Sequence, residues 1–252
     1  MNAELGIWVV RDEGGKLGRY LETHLGGKLG GLICKAGLTN REAFSASFID
    51  CSLWIMVMAV GIAVRYLDGL TKRKTVDPGV VVIDEGCRYV VSLLGGHEGG
   101  ANLLAYRVAN LTGAVPVITT ATETLKPLVV GIGCRKGASV DRIGAAVTEA
   151  LSAVARSEKE IREVATVDLK GDEPGILRWC EQLGVPLRLI PRSLIQERPW
   201  VAEGSTLVYA HFGIEGVCEP CALLATFKGR LILRKTTRNG VAVAIAEEVS
   251  GI

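Results

Sequence analysis

Runs of β-branched and aliphatic residues alternate with helix-periodic stretches along almost the whole chain, and few folds accommodate that alternation. A strand followed repeatedly by a helix is best satisfied by a largely parallel sheet with helices packed on its faces. Strands are expected at residues 6–10, 29–34, 53–58 and 115–118, with helices at 16–24, 62–67 and 101–110. VVVIDEGCRYVVSLL reads as a hairpin, 80–84 and 88–94, turning at Glu85 and Gly86. After ATETLKP (121–127) a fresh strand–glycine–helix unit begins, which predicts one domain over residues 1–125 and a second over 126–252. The second half continues with strands at 128–132, 164–168, 187–190, 231–235 and 241–246 and helices at 140–154, 174–183 and 221–227. A polar helical stretch precedes the last helix, and Asn239-Gly240 marks a hairpin turn between the last two strands. The expected architecture is α/β: two three-layer α/β/α domains with mostly parallel or mixed sheets.

Composition narrows the function classes. The 29 Lys and Arg residues against 27 Asp and Glu leave a net charge of +2, which is no bulk footprint for nucleic acid or for an acidic membrane. Any anion must be held locally. The 31 glycines in 252 residues, with aromatics at only 5%, suggest tight turns, close backbone approaches and aliphatic cores. The longest uncharged apolar run, LWIMVMAVGIAV, has 12 residues, short of the roughly 20 that span a bilayer, and reads as a buried strand passing into a helix. No secretion signal opens the chain, so a cytoplasmic protein is expected. Seven cysteines without regular spacing argue for reduced thiols.

The densest chemical signal is GGHEGGAN at 95–102, between a strand and a helix. Gly95, Gly96, Gly99 and Gly100 allow sharp turns and point backbone N–H groups at a ligand from a helix N-terminus, an arrangement that suits anions. His97 can take or give a proton near neutral pH, Glu98 lies beside it, and the Asn102 amide can donate to an oxyanion. The competing account is a glycine-rich turn carrying a surface histidine. GIGCRKGAS at 131–139 suggests a second anion cradle, with Gly131 and Gly133 allowing close approach and Arg135 and Lys136 adding charge. A dinucleotide reading fails because Lys136 stands where G-x-G-x-x-G needs glycine.

In TVDLKGDEPG, Lys170 reads as a ligand contact, whereas Asp172 is a natural cap for a helix opening at Pro174. Cys218-Glu-Pro-Cys221 has the spacing of a redox dithiol, with incidental packing as the alternative. Arg65, and Thr119 with Thr120 at a strand's carboxyl end, are further candidate contacts. No cysteine set has metal-ligand spacing.

IMVMAVGIAVR, the block from DPGVVVIDEG through LLGGHEGGAN to VITTATE, VVGIGCRKGAS, ATVDLKGDEPG with LGVPLR, and KTTRNGVAVAIA together resemble the cobalamin biosynthesis protein G family. The matches fall at Gly95, Gly96, His97, Gly99, Gly100 and Asn102, and at Gly131, Gly133, Arg135, Asp168, Lys170, Asp172 and Glu173. The resemblance implies a cobalt-precorrin-5A hydrolase, which opens a ring A δ-lactone of a cobalt-bearing tetrapyrrole and releases acetaldehyde. It implies that cobalt arrives inside the substrate, with no resident cofactor or protein metal site. The expected partners are that substrate, other cobalamin-pathway enzymes and a second copy of the chain; charge balance and apolar run length argue against nucleic acid and membrane.

On this reading His97 is the general base and then acid, with Asn102 and the Gly99 and Gly100 amides near the oxyanion and Glu85 or Glu98 orienting the imidazole. Arg65, Thr119, Thr120, Arg135, Lys170 and the glycine cradles would hold substrate. The alternative is a non-catalytic tetrapyrrole carrier. This chain departs from the family in length: many members carry some tens of residues between the TTAT and VVGIG motifs, where only ETLKP stands here. CEPC is likewise outside the family pattern.

Overall fold

The computed structural model describes residues 4–31, 37–197 and 216–248. The chain divides into two compact units, Met1–Thr120 and Ala121–Ile252. Each is a mixed sheet flanked by helices, an α/β fold.

In the first unit the strands are β1 (Leu5–Val9), β2 (Lys28–Gly30), β3 (Leu53–Val57), β4 (Gly79–Ile83), β5 (Tyr89–Leu94) and β6 (Val115–Val117). Their order in the sheet is β2-β1-β3-β4-β5-β6. β1 to β4 run parallel, β5 is antiparallel to β4, and β6 is parallel to β5. Side chains alternate between faces with the period of two that a pleated strand imposes. Ile7, Ile55, Val57, Val81 and Ile83 pack beneath helices α1 (Gly15–Leu25) and α4 (Ala101–Thr112). Trp8, Trp54, Met56, Val80 and Val82 meet α2 (Asn40–Ser47) and α3 (Val60–Leu67) on the other face. There the Asn40 Oδ1 accepts from Trp8 Nε1 at 2.7 Å and from the Tyr66 hydroxyl at 3.1 Å, so the buried indole and phenol donors are satisfied.

Helix α2 was not anticipated, although its start is written in a capping box. Thr39 Oγ1 accepts from the Glu42 N–H at 3.2 Å and the Glu42 carboxylate accepts from the Thr39 N–H at 2.8 Å. Only the first part of the strand expected at 29–34 lies in described residues.

The second unit opens with a short helix, α5 (Ala121–Thr124), inside the segment read as a linker. Its sheet has the order β10 (Gly229–Arg238), β11 (Val241–Glu248), β7 (Leu128–Cys134), β8 (Ile161–Val167) and β9 (Leu187–Ile190). β7, β8 and β9 are parallel, with β11 antiparallel to β7 and β10 antiparallel to β11. α6 (Val140–Ala153) and α7 (Pro174–Leu183) cover one face; α8 (Arg192–Gln196) and α9 (Cys218–Leu224) contribute to the cluster on the other. Asn239 and Gly240 take positive φ at the β10–β11 turn, as that dipeptide favours. The later part of the polar helical stretch, residues 198–215, lies outside the described residues.

Asp172 is not the cap of α7. Glu173 holds the N-cap position, and its side chain turns inward instead of capping the helix.

Helix α9 buries both CEPC thiols, and desolvation pushes Cys218 up to about 12 and Cys221 well above its ordinary value. At pH 8 a pKa of about 12 leaves roughly one Cys218 in ten thousand as thiolate. In the native protein at that pH, alkylation mapped by mass spectrometry is expected to spare both cysteines and to label them only after unfolding in urea. Rapid labelling of either in the native state would restore the dithiol reading.

Candidate functional site

Because β5 runs against β4, its carboxyl end lies beside the first residue of β4, Gly79. The 95–100 loop is built there, backbone against backbone. A Cβ on Gly79 would stand 2.5 Å from the Gly99 carbonyl oxygen, and one on Gly99 would stand 2.8 Å from that of Gly95. Gly95 and Gly100 have φ of +65° and +78°, which only glycine adopts without strain. The loop closes onto α4 through Ala101 N–H to Gly95 O at 3.2 Å and Asn102 N–H to Gly96 O at 2.9 Å.

Two of the side chains picked from sequence, Asn102 and Thr120, meet here with Ser92. Asn102 Nδ2 donates to Thr120 Oγ1 at 3.0 Å while its Oδ1 accepts from Ser92 Oγ at 2.8 Å. Gly96 fits into that clamp, since a Cβ would lie 2.6 Å from Thr120 Cγ2 and 2.7 Å from Asn102 Oδ1. Asn102 thus ties β5 to the segment after β6. Thr119, next to Thr120, is exposed.

His97 stands exposed at the loop's apex and makes no hydrogen bond to any described residue. The Gly99 and Gly100 N–H groups belong to the turn at that apex. Glu98 pairs with Lys74 at 2.9 Å, and that hydrogen bond holds its carboxyl below the usual carboxylate range. A fixed negative charge therefore lies next to the imidazole at neutral pH.

Glu85 is not brought to His97. It follows the carboxyl end of β4, the opposite end of that strand from Gly79 and the loop. There it faces Arg11 at 3.9 Å and lines a cavity of about 250 Å³ with Val10, Met58 and Asp84. The hairpin turn at 85–86 and the loop at 95–100 are separated by the full length of β5, which sequence proximity hid.

Arg65 lines a larger groove of about 530 Å³. Its walls are Val64 and Leu67 from α3 and Leu93 and Leu94 from the end of β5, with Arg41, Asp68 and Thr71 at its rim. The groove therefore adjoins the 95–100 loop through Leu94. Arg41, Ser92, Gly79 and Lys74 were missed from sequence, though the run Lys72-Arg73-Lys74 was a legible charge signal.

In the second unit the expected cradle is closed. β7 extends through Cys134, so Gly131 and Gly133 are strand residues and not loop residues. A Cβ on Gly131 would lie 1.9 Å from the Cys218 carbonyl oxygen, and one on Gly133 would lie 3.3 Å from Val217 Cβ. These glycines admit the segment that opens α9. Two of the N–H groups near the start of α6 are taken: Gly137 N–H by Glu173 Oε1 at 2.8 Å, and Arg142 N–H by Ser139 Oγ at 3.4 Å. Lys170 Nζ lies 3.6 Å from buried Glu173, so its charge is matched inside the protein. Burial pushes up the neighbouring Cys134 thiol. Arg135 is exposed, with its N–H bonded to Gly240 O at 3.1 Å.

Among the described residues no cluster of three His, Cys, Asp or Glu side chains could hold a metal ion, and no helix is long and apolar enough to cross a membrane.

Residues 42–123 match the family model for the cobalamin synthesis G N-terminal region, and residues 128–246 match that for its C-terminus. A cobalt-precorrin-5A hydrolase of Salmonella typhimurium is 51% identical over 85 residues, 34% of this chain and 23% of its own length. A relative from Methanocaldococcus jannaschii named "Probable cobalt-precorrin-5A hydrolase" is 28% identical across 77% of this chain and 85% of its own. The match thus spans under a quarter of the first relative and most of the second. The crystal structure of CobE, a protein from the cobalamin (vitamin B12) biosynthetic pathway, superposes with a TM-score of 0.47 at 25% identity, covering 50% of this chain and 93% of that one.

Proposed function

We propose that this chain, which belongs to the cobalamin biosynthesis protein G family, hydrolyses cobalt-precorrin-5A, opening its ring A δ-lactone and releasing acetaldehyde to give cobalt-precorrin-5B. The observation that carries the reading is the apex of the 95–100 loop, where an exposed imidazole and two glycine N–H groups stand together on a backbone locked by close glycine contacts. His97 takes a proton from the water that adds to the lactone carbonyl. The Gly99 and Gly100 N–H groups are donors for the oxyanion, and the imidazolium returns the proton to the departing alkoxide. That hydroxyl then gives its proton to the neutral His97 imidazole as its oxygen forms the carbonyl of acetaldehyde, and the electrons of the broken C–C bond pass to the macrocycle. The chemistry belongs to the first unit, Met1–Thr120.

The test is anaerobic incubation of the purified protein with cobalt-precorrin-5A. One acetaldehyde per substrate consumed is the expected result. Binding without release would make the chain a carrier.

A further inference from the structure

We infer that the groove between α3 and the end of β5, together with the basic segment beside it, is the seat for the carboxylate-bearing edge of an amphipathic ring ligand. This rests on the hydrolase or carrier reading only for the identity of that ligand as a tetrapyrrole. The groove has the size of a small-molecule site and a divided chemistry. Val64, Leu67, Leu93 and Leu94 give it apolar walls, and Arg65 brings a guanidinium group to it, while that of Arg41 is paired with Asp68 at 3.6 Å. Arg65 has its guanidinium on a carbonyl, Gly61 O at 3.0 Å, and on no carboxylate among the described residues. A guanidinium so placed can engage a carboxylate in two parallel hydrogen bonds.

The charge continues away from the groove. Thr71 lines it, and the chain then runs through Lys72 and Arg73, exposed and in no ion pair among the described residues, to Lys74 on Glu98. Asp77 fastens this segment by accepting the Lys72 N–H at 2.8 Å, and Arg73 O accepts the Val76 and Asp77 N–H groups. The segment therefore leads from the groove to the loop that carries His97. Three peptide bonds link Leu94 to His97 through Gly95 and Gly96, which limits their Cα atoms to at most about 11 Å apart. One macrocycle can rest its apolar edge and acid side chains in the groove and present another ring at His97. A ligand without carboxylates would leave Arg65 unmatched, and one without an apolar body would leave the leucines wet.

The experiment is a titration of the full chain with two porphyrins, uroporphyrin with eight carboxylates and mesoporphyrin with two, read by absorbance. Arg65→Ala is expected to raise the uroporphyrin Kd at least tenfold and Arg65→Ala with Arg73→Ala further, with a smaller effect on mesoporphyrin. Both side chains are exposed, so the folding transition should be that of the wild type. An unchanged Kd in the double variant, or no uroporphyrin binding by the wild type, overturns the inference. Arginine-dependent porphyrin binding without acetaldehyde release would sustain the groove and sink the hydrolase. Acetaldehyde release with arginine-independent binding would do the reverse.

Discussion

His97→Ala is expected to release acetaldehyde from cobalt-precorrin-5A at least about a hundredfold more slowly than the wild type, the usual scale for removing a general acid–base group. Uroporphyrin affinity should be retained, because the cations assigned to binding lie elsewhere, on α3 and the segment 72–74. The imidazole is exposed and bonded to no described residue, so the substitution should leave the unfolding transition where it was. That separation is what makes the experiment decisive. Turnover unchanged in the variant would mean that the loop positions substrate and the base lies elsewhere.

The second large effect is structural. Gly131→Val should destabilise the second unit by about 3 kcal/mol or more, because the added carbon meets backbone and not a flexible side-chain end. Its Cβ would stand 1.9 Å from Cys218 O and 2.8 Å from Cys218 C, and relief requires moving α9 away from β7. A drop of roughly 10 °C in Tm follows for a unit of this size. Thermal unfolding measures it. Wild-type stability combined with lost ligand binding would reverse the assignment and reopen the GIGCRKG loop as a cradle.

The two glycine-rich motifs look alike as strings and differ in what surrounds them. Both follow a strand and open a helix, the pattern from which an anion cradle was read. At 95–100 the glycines lie beyond the end of β5, in a turn that leads into α4. At 131–137 the strand continues through the first two glycines, and Glu173 and Ser139, 36 and 3 residues along the chain from their partners, absorb the donors. Nothing local to GIGCRKG announces Glu173. Glu85 shows the same limit, since ten residues in sequence became the two ends of one antiparallel strand. The groove was invisible because its walls come from α2, α3 and β5, and only Arg65 among its cations was picked out.

The sequence by itself determined the α/β class, nearly every strand and helix, and the GGHEGGAN loop with Asn102 in it. Those follow from local periodicity and from glycine's backbone freedom, which short stretches encode completely. Tertiary structure alone decided which backbone donors stay open, which charges find partners, and which sheet edge each loop occupies. Those depend on residues distant in the chain that meet only after the sheets close, and no window of sequence contains both partners.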